Sequence, residues 1–555
     1  KEDCAWMGLV KFDLLGLGML SALSISFDLI SQHCGRFWTL ASIPRNEPGV
    51  YDMLCRGDSI GVFQVESRAQ IGALPRLKPR CFYDLAVEIG LIRPGPVQGG
   101  AVHPYIRRRT GVEPVTYPHP LLEPVLERTL GIPLFQEQLM QMATTVGNCT
   151  AADADLLRRA MGSKRGVERI DSLRTKLFEG MAANGIDDDT AQGIYARIES
   201  FANFGFAESH ALSFAGLVYT SAWIKLHYPA VFLAALLRSQ PMGFYSSATL
   251  VADARRHGVV TRRPDVARSS VGADLELLDA CCEELGSEEL ETGIDECLHD
   301  HDESEIGAFD PNRDDGDHRR DTHFAVRLGL SDVSGINIET ATRIVEERER
   351  ESFASLDDLA RRVDLSGEEV EALALAGAFD DLVGSRRGAL WQIGQINGVA
   401  PGQLDVQVVT QPPLLPEPTQ MELLGDDLRA TGISTADHPV RQVRDALNRR
   451  GVVQVDRLDG VETRRRIEVA GVVTHRQRPG TAGGVTFLNL EDETGLLNVI
   501  VTPGAWRHYR RVARTSRALV VRGILERGDE GVMSLQADRL EALDLSVPTK
   551  SRDFR

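Results

Sequence analysis

The chain has 555 residues, of which 43% are hydrophobic and 26% charged, and its formal net charge is −18. These values are typical of a folded protein of several domains and exclude a disordered or fibrous chain. The most apolar stretch, residues 213–237, contains Lys225, His227 and Pro229, so it predicts a pair of buried helices and no membrane span. The eight cysteines are scattered and no leader pattern precedes them, which favours reduced thiols in a cytoplasmic protein.

The first informative stretch is "GLVKFDLLGLGML", residues 8–20, where Asp13 stands in an apolar run with Lys11 as its nearest cation. A buried carboxylate is costly unless it is paired, hydrogen-bonded or bound to a metal. Two interpretations follow from the residues alone. Asp13 either caps the next helix or pairs with Lys11, or it is a metal ligand.

Residues 19–265 carry apolar side chains mainly at helical spacing, with Gly and Pro in the short connections, which predicts one large helical domain. Within it, residues 93–178 hold 12 Lys and Arg against 8 acidic residues. Such a basic region is either a solvated face or a surface for phosphate groups. Asp153 and Asp155 precede the cluster "LLRRAMG" and are predicted to cap its helix, not to bind metal.

An acidic segment follows, since residues 271–321 contain 19 Asp and Glu but only 3 Arg. This composition predicts a solvated, flexible insertion, with bounds 266–323. Its Cys297, His299 and His301 lack the second spaced ligand pair that zinc sites have.

Residues 324–400 predict a helix-hairpin-helix, in which the turn "SGIN" with Gly335 and Asn337 would offer backbone N–H groups to a phosphate. Any helical hairpin can show this pattern, so the region is either a DNA-binding hairpin or an ordinary helical hairpin.

After a connector at 401–465, residues 466–545 switch to alternating apolar residues: three strands, a helix and two strands, the order of an OB barrel. Arg476 and Arg478 lie in its basic loop "RQRPGTAGG", which suits a nucleic-acid backbone, although OB domains also dock proteins. A tail, 546–555, ends the sequence.

Eight motifs occur in the order found in bacterial C-family DNA polymerases, the polymerase III α-subunit type, and the chain resembles that family over nearly its whole length. They are "VKFDLLGL" (10–17), "VFQVES" (62–67), "RPGP" (93–96), "YPHP" (117–120), "LFQEQ" (134–138), "LLRRAMG" (156–162), "GFAESH" (205–210) and "WIKLHYP" (223–229). Within the family, "SQPMGFYS", "LVADARRHGV" and the closing "SRDFR" resemble the error-prone, damage-inducible branch. The implied fold is multidomain and mainly α-helical: the end of the palm at 1–18, a helical fingers domain, the helix-hairpin-helix and a five-stranded OB barrel.

The resemblance also implies functional residues. Asp13 would be the third of three metal-binding aspartates holding two Mg²⁺ ions, and Lys11 would contact nucleotide phosphates. The incoming deoxynucleoside triphosphate would meet the fingers residues, which are Arg158, Arg159, Lys164, Arg93, Ser209 and His210. Where the replicative branch has Asn-Lys in the last of these motifs, this chain has Ala207 and Glu208, an acid that would loosen the hold on nucleotide or template.

The family's other two metal aspartates and its Gly-Ser phosphate loop do not occur in the 555 residues, so the chain alone is expected to be inactive. Primer-template DNA is the implied partner, with an inactive Y-family-like adaptor that recruits the sliding clamp. The segments 402–409 and 420–425 lack the aromatic end of a clamp-binding peptide. The alternative function is a non-catalytic DNA-binding or scaffold module built from the hairpin and the barrel.

Overall fold

The computed structural model describes residues 6–10, 15–92, 102–161, 166–200, 206–278, 299–311, 318–396, 415–479, 482–528, 533–545 and 552–554. In the first half of the chain, the α-helices are Leu17–Cys34, Pro48–Cys55, Arg68–Ile71, Leu74–Leu77, Phe82–Leu91, Val102–Arg109, Glu123–Leu126, Gln136–Gly147, Ala151–Ala160, Gly166–Asp171, Arg174–Ala183, Asp188–Ser200, Glu208–His227, Pro229–Arg238 and Ser247–Arg256. In the second half they are Ile338–Arg350, Leu356–Val363, Gly367–Ala376, Asp380–Val383, Arg386–Ile396, Gln420–Ala430, Arg444–Arg450, Pro503–His508 and Arg510–Thr515.

The chain divides into two compact units. The smaller unit comprises Ile43–Trp223 and Asp295–Gly316, and the larger comprises Lys1–Ser42, Ile224–Ile294 and Asp317–Arg555. Each is described by itself below.

The smaller unit is helical, as predicted for this part of the chain. One of its cores is formed by apolar side chains that lie on the helices between residues 122 and 198, including Leu139, Leu157 and Ile194. Two of these helices, Gln136–Gly147 and Arg174–Ala183, meet at glycines. A Cβ atom on Gly180 would collide with the backbone of Gly147, so close helix packing requires glycine there.

The larger unit contains the second part of the predicted buried apolar stretch, from Ile224 onward. The helix Pro229–Arg238 is buried along nearly its whole length, and the end of Glu208–His227 is buried before it. Lys225, the cation inside this stretch, is only 4% exposed and pairs with Asp253 at 2.9 Å between Nζ and Oδ2. None of the helices in the described residues is long and apolar enough to cross a membrane.

A three-stranded sheet follows, formed by β1 (Thr261–Arg262), β2 (Asp274–Leu277) and β3 (Phe324–Arg327) in the order β1-β3-β2. Strand β2 lies inside the segment 266–323 that composition predicts to be a flexible insertion, and the structure differs there. Leu275 is buried opposite Val326, and the Glu276 carboxylate is paired with Arg327 at 2.6 Å. The charges of this strand are compensated, Glu276 by Arg327 and Arg262 of the same sheet and Asp274 by Arg238 of the helix Pro229–Arg238.

The hairpin region forms a helical module whose core includes Leu330, Val333 and Ile344. A short 3₁₀ turn, Leu330–Asp332, leads into the turn at Gly335 and then into the helix Ile338–Arg350. This is the predicted order of short helix, glycine-containing turn and amphipathic helix. The helix-hairpin-helix prediction is confirmed.

The OB barrel is also confirmed. Its strands are β4 (Arg466–Gln477), β5 (Thr486–Glu491), β6 (Leu496–Val501), β7 (Ala518–Arg527) and β8 (Met533–Ala542). The sheet order β5-β6-β8-β7-β4 closes through a β4–β5 pairing, and β9 (Arg552–Phe554) adds to β4 in parallel. The two helices Pro503–His508 and Arg510–Thr515 lie between β6 and β7, where the sequence pattern predicts one.

Candidate nucleotide and nucleic-acid site

The structure describes eight of the twelve predicted site residues. Asp13, Lys11, Arg93 and Lys164 lie outside the described residues, so their roles stay predictions. The others belong to four separate places in the chain: the helix Ala151–Ala160, the start of the helix Glu208–His227, the hairpin turn and the OB barrel.

The helix Ala151–Ala160 begins with a capping box. The Thr150 backbone N–H donates to Asp153 Oδ2 at 2.7 Å, and the Asp153 N–H donates back to Thr150 Oγ1 at 3.4 Å. An additional contact with the Lys176 ammonium, together with the Thr150 hydrogen bonds, lowers the pKa of Asp153 to about 2. Asp153 therefore takes part in capping the helix, as the sequence predicts, with Thr150 as the N-cap residue. The same prediction is wrong for Asp155, which pairs with two arginines of the helix.

Arg158 and Arg159 lie in the last turn of this helix, and both bind the same carboxylate. Asp155 Oδ1 lies 2.7 Å from Arg158 Nη2, and Asp155 Oδ2 lies 2.7 Å from Arg159 Nη2. About half of the Arg158 side chain and two thirds of the Arg159 side chain are exposed to solvent. The hydrogen bond from Arg158 leads the interactions that lower the pKa of Asp155. One carboxylate thus pairs with two guanidinium groups, and the three side chains together keep a net charge of one positive unit on an exposed helical turn.

Ser209 and His210 open the helix Glu208–His227. Ser209 is exposed, while the His210 ring is partly buried between two phenylalanines, with centroid distances of 5.5 Å to Phe206 and 4.1 Å to Phe214. The aromatic neighbours hold the imidazole in place, and the serine hydroxyl stands on the accessible side of the same turn.

Glu208, the acid that departs from the replicative pattern, is locally compensated. The Tyr83 hydroxyl donates to Glu208 Oε1 at 2.7 Å, and Arg128 Nη1 lies 3.8 Å from the same oxygen. The Arg128 guanidinium also stacks 4.0 Å from the centroid of the Tyr83 ring. Burial and the hydrogen bond to Glu208 raise the pKa of Tyr83. Sequence reasoning missed Tyr83 and Arg128, because they are 125 and 80 positions from Glu208 and no local spacing connects them.

A third missed residue is Glu88 on the helix Phe82–Leu91. Its side chain is 1% exposed, and neither carboxyl oxygen has a hydrogen-bond partner among the described residues. Burial raises its pKa well above the usual range, which favours the protonated carboxyl. The flanking sequence "LAVEIGL" reads as an ordinary apolar helix, and only the single acid in it signals this arrangement.

The hairpin turn has the backbone geometry that the sequence predicts. Gly335 has a φ of 97°, a conformation that favours glycine. Asn337 is the N-cap of the following helix, since its side-chain oxygen accepts from Thr340 N at 2.7 Å. Within the described part of the chain, the N–H groups of Gly335 and Asn337 have no hydrogen-bond acceptor. They are available to an external oxygen such as a phosphate.

The two OB arginines differ. Arg476 is 8% exposed, and its guanidinium donates to the backbone carbonyls of Ala513 (2.9 Å) and Ser516. Arg478 is exposed, and its guanidinium lies 5.6 Å from the centroid of the Trp506 ring. Arg476 thus holds strand β4 against the helix before β7, and Arg478 is the one presented to solvent; DNA contact by either residue stays a prediction.

Comparison with known proteins gives matches to all three modules. The family model for the bacterial DNA polymerase III alpha subunit finger domain matches residues 19–185, a helix-hairpin-helix motif matches 258–389, and an OB-fold nucleic acid binding domain matches 467–543. Among solved structures, asparaginyl-tRNA synthetase from Pyrococcus horikoshii covers 14% of this chain at 20% identity with a TM-score of 0.13, which carries no argument.

Curated relatives match over the whole chain. It is 51% identical to the error-prone DNA polymerase of Mycolicibacterium paratuberculosis, 50% identical to that of Mycobacterium tuberculosis and 48% identical to that of Corynebacterium glutamicum. The alignments include 100% of this chain and 47%, 47% and 48% of those proteins, so the chain spans about half their length.

The fingers module, the helix-hairpin-helix and the OB barrel, in this order, define the class: the chain belongs to the bacterial DNA polymerase III α-subunit family. Within that family it is similar to the error-prone DNA polymerases. The resemblance drawn from the sequence motifs is confirmed.

Proposed function

We propose that this chain supplies the nucleotide-binding and DNA-binding parts of an error-prone DNA polymerase, in which template-directed nucleotidyl transfer extends a primer. The observation that carries the proposal is the identity of about half of all residues, over the entire chain, with proteins of that name. A hairpin and an OB barrel alone would equally suit a scaffold. The fingers module favours the polymerase, because a scaffold has no need of a nucleotide-binding domain.

The nucleotide would be held at the exposed turn that carries Arg158 and Arg159. Two guanidinium groups that share one carboxylate keep donors free for the oxygens of a triphosphate, and charge-assisted contacts to phosphate strengthen as the leaving group gains charge. Lys164 and Arg93 would add positive charge, and Ser209 and His210 would line the same pocket.

Asp13 and Lys11 would form the part of the catalytic centre that this chain contributes. A carboxylate is the type of hard oxygen ligand that Mg²⁺ prefers, so Asp13 fits a magnesium site by its chemistry. When bound, two Mg²⁺ ions would supply activation of the primer 3′ hydroxyl and stabilisation of the departing pyrophosphate. Lys11 would hold a phosphate oxygen of the nucleotide, and the apolar residues around Asp13 would fix its position.

DNA would be bound downstream in the chain. The free N–H groups of Gly335 and Asn337 suit one phosphate of the backbone, and Arg478 suits another. Arg476 supports the loop through its bonds to backbone carbonyls. We further propose a role in damage-induced translesion synthesis at the nucleoid, with an inactive Y-family-like adaptor that connects the enzyme to the sliding clamp.

Primer extension by a longer subunit, one that spans the full length of the curated relatives and contains these 555 residues, tests the proposal. Asp13→Asn should abolish turnover and leave DNA binding nearly unchanged, because it removes a metal ligand without a change of shape. Asp28→Asn, the same chemical change at an exposed position on the helix Leu17–Cys34, is the matched control and should keep full activity. Retention by Asp13→Asn of more than about a tenth of the rate, equivalent to less than roughly 1.4 kcal/mol, would make Asp13 a structural residue.

The 555-residue chain alone should not extend a primer, since only one of the family's three metal aspartates occurs in it. Mg²⁺-dependent nucleotide incorporation by this purified chain would contradict the proposed division of the catalytic centre.

A further inference from the structure

The two helices between β6 and β7 of the OB barrel carry an unusual concentration of positive charge. Residues 503–517 include five arginines and no Asp or Glu. All five arginines are exposed, and no carboxylate of the described residues pairs with any of them. They are Arg507, Arg510, Arg511, Arg514 and Arg517, and we call the first four the arginine ridge.

The ridge lies on two consecutive short helices. Arg507 is in the last turn of the helix Pro503–His508, and Arg510, Arg511 and Arg514 lie on the helix Arg510–Thr515. Both helices are anchored, because Trp506, Tyr509, Val512 and Ala513 pack against the barrel core. The ridge is therefore held on a rigid support with its charges directed away from the core.

Three arginines on the strands of the same domain are compensated by acids. Arg466 and Arg522 both lie 2.8 Å from Asp538, and Arg539 lies 3.5 Å from Glu541. An exposed arginine beside an acid is an ordinary solvated surface, whereas several uncompensated arginines in a row repel one another and destabilise the folded state unless an anion neutralises them. The difference within one domain points to a ligand with repeated negative charge.

We propose that the arginine ridge binds the phosphate backbone of single-stranded DNA, as a surface of the OB domain distinct from the strand face and loops on which OB barrels commonly hold their ligands. The inference rests on the proposed function and adds the position of the contact. Guanidinium groups form forked contacts with phosphate oxygens, so several arginines on one rigid support suit a chain of phosphates.

Fluorescence anisotropy of the 555-residue chain with a labelled 30-nucleotide oligo-dT strand tests this, over a series of salt concentrations. The ridge variant combines Arg510→Gln, Arg511→Gln and Arg514→Gln. The matched control combines Arg466→Gln, Arg522→Gln and Arg539→Gln, which removes the same charge from compensated positions of the same domain. Melting temperatures of both variants check that the barrel is folded.

The ridge variant should bind at least tenfold more weakly at about 0.1 M salt, and the slope of log K against log[salt] should be shallower by roughly 2, since each lost contact to a single strand contributes about 0.7. The control should lose less than threefold and keep the wild-type slope. Equal losses in both variants would mean that only total charge matters, and a ridge variant with wild-type affinity would mean that the ridge does not contact the strand. Either result overturns the inference while DNA binding itself stands. Absence of binding by the unmodified chain would overturn the DNA-binding part of the proposed function as well.

Discussion

Two segments of this chain each carry a pair of adjacent arginines, but they differ in the charge of the residue three positions before the first arginine. In the fingers module the segment is "DLLRR", residues 155–159, and in the OB domain it is "RHYRR", residues 507–511. Asp155 binds both Arg158 and Arg159 at 2.7 Å, whereas Arg507 adds a third positive charge to Arg510 and Arg511. The first arrangement is compensated within one helical turn and the second is not.

The comparison indicates two kinds of phosphate contact. An acid beside two arginines lowers their net charge and competes with the ligand for their donors, which suits a small ligand that must bind and then leave. Uncompensated arginines along one face attract any polyanion through released counterions and have no preference for sequence. An exposed ion pair contributes little to stability, so the acid in "DLLRR" is better explained by binding than by folding.

The largest effect is expected when the OB segment is given the charge pattern of the fingers segment. Arg507→Asp creates "DHYRR" and should weaken single-strand binding by about tenfold or more at low salt, because it removes one charge and adds an acid that competes for Arg510 and Arg511. Arg507→Gln, which removes the charge alone, should lose only about two- to threefold. Anisotropy titration compares the two, and equal losses would show that compensation by an adjacent acid has no effect.

Buried carboxylates extend the comparison to charges that solvent does not screen. Burial raises the pKa of Glu491 to about 7, although Arg256 and the Thr249 hydroxyl act against it. The unfolded carboxyl has its ordinary pKa of 4.5, so between about pH 4.5 and 7 the unfolded chain loses a proton that the folded chain retains, and stability falls as pH rises. Glu491→Gln should remove that slope and stabilise the protein at pH 8 by an amount on the order of 1 kcal/mol.

Glu493, two positions later, is the matched control. Burial acts to raise its pKa, but the hydrogen bond from Arg444 outweighs burial and the pKa is lowered, so its charged form stabilises the fold above the ordinary pKa. Glu493→Gln should therefore destabilise the protein at pH 8. Urea unfolding at pH 5 and pH 8 measures both variants, and a stability change of the same sign at pH 8 would contradict the assignment.

The helix that carries "DLLRR" can be destabilised without any change to its arginines. Thr150→Ala removes the N-cap oxygen and should cost about 1 kcal/mol of stability, seen as a lower melting temperature of the fingers module. Nucleotide KM of the longer subunit should not change, because the last turn of the helix is unaltered. A raised KM would mean that nucleotide binding by the arginines depends on the helix cap. The difference between the fingers and OB segments would then reflect helix stability and not the acid beside the arginines.

The smallest effect is expected for removal of the acid in the fingers segment. Asp155→Asn frees both guanidinium groups and should lower the nucleotide KM about two- to threefold, because phosphate oxygens no longer compete with a carboxylate. The melting temperature should be unchanged. A higher KM would indicate that Asp155 orients the arginines for the nucleotide and does not compete with the phosphate oxygens for them.

The order of the modules could be predicted from sequence, because each has its own period and its own short motif. The turn at Gly335, the cap at Asp153 and the order of the barrel strands follow from local residue chemistry, and the structure agrees with them. Strand β2 could not be predicted from local composition, since Glu276 is neutralised by Arg262 and Arg327 from other strands and Asp274 by Arg238 from a helix. The contact of Glu208 with Tyr83 and Arg128 was missed for the same reason.

Arg476 illustrates what the sequence could not predict about individual arginines. Its sequence context, a basic loop with several glycines, is that of a backbone contact, but its guanidinium is buried against the carbonyls of Ala513 and Ser516. A sequence pattern reports which side chains are cationic and does not report which acceptors lie within reach after folding. That distinction separates Arg476 from Arg478 and the fingers arginines from the OB ridge.

The central claim, that the fingers module of this chain holds the incoming nucleotide, is tested most directly by nucleotide KM and melting temperature measured on the same purified variants of the longer subunit. Arg158→Ala and Arg159→Ala should each raise the nucleotide KM by about tenfold, a loss of roughly 1.4 kcal/mol of binding, and should leave the melting temperature almost unchanged because both side chains are exposed. A lower melting temperature with an unchanged nucleotide KM would contradict the claim and make the two arginines part of the fold only.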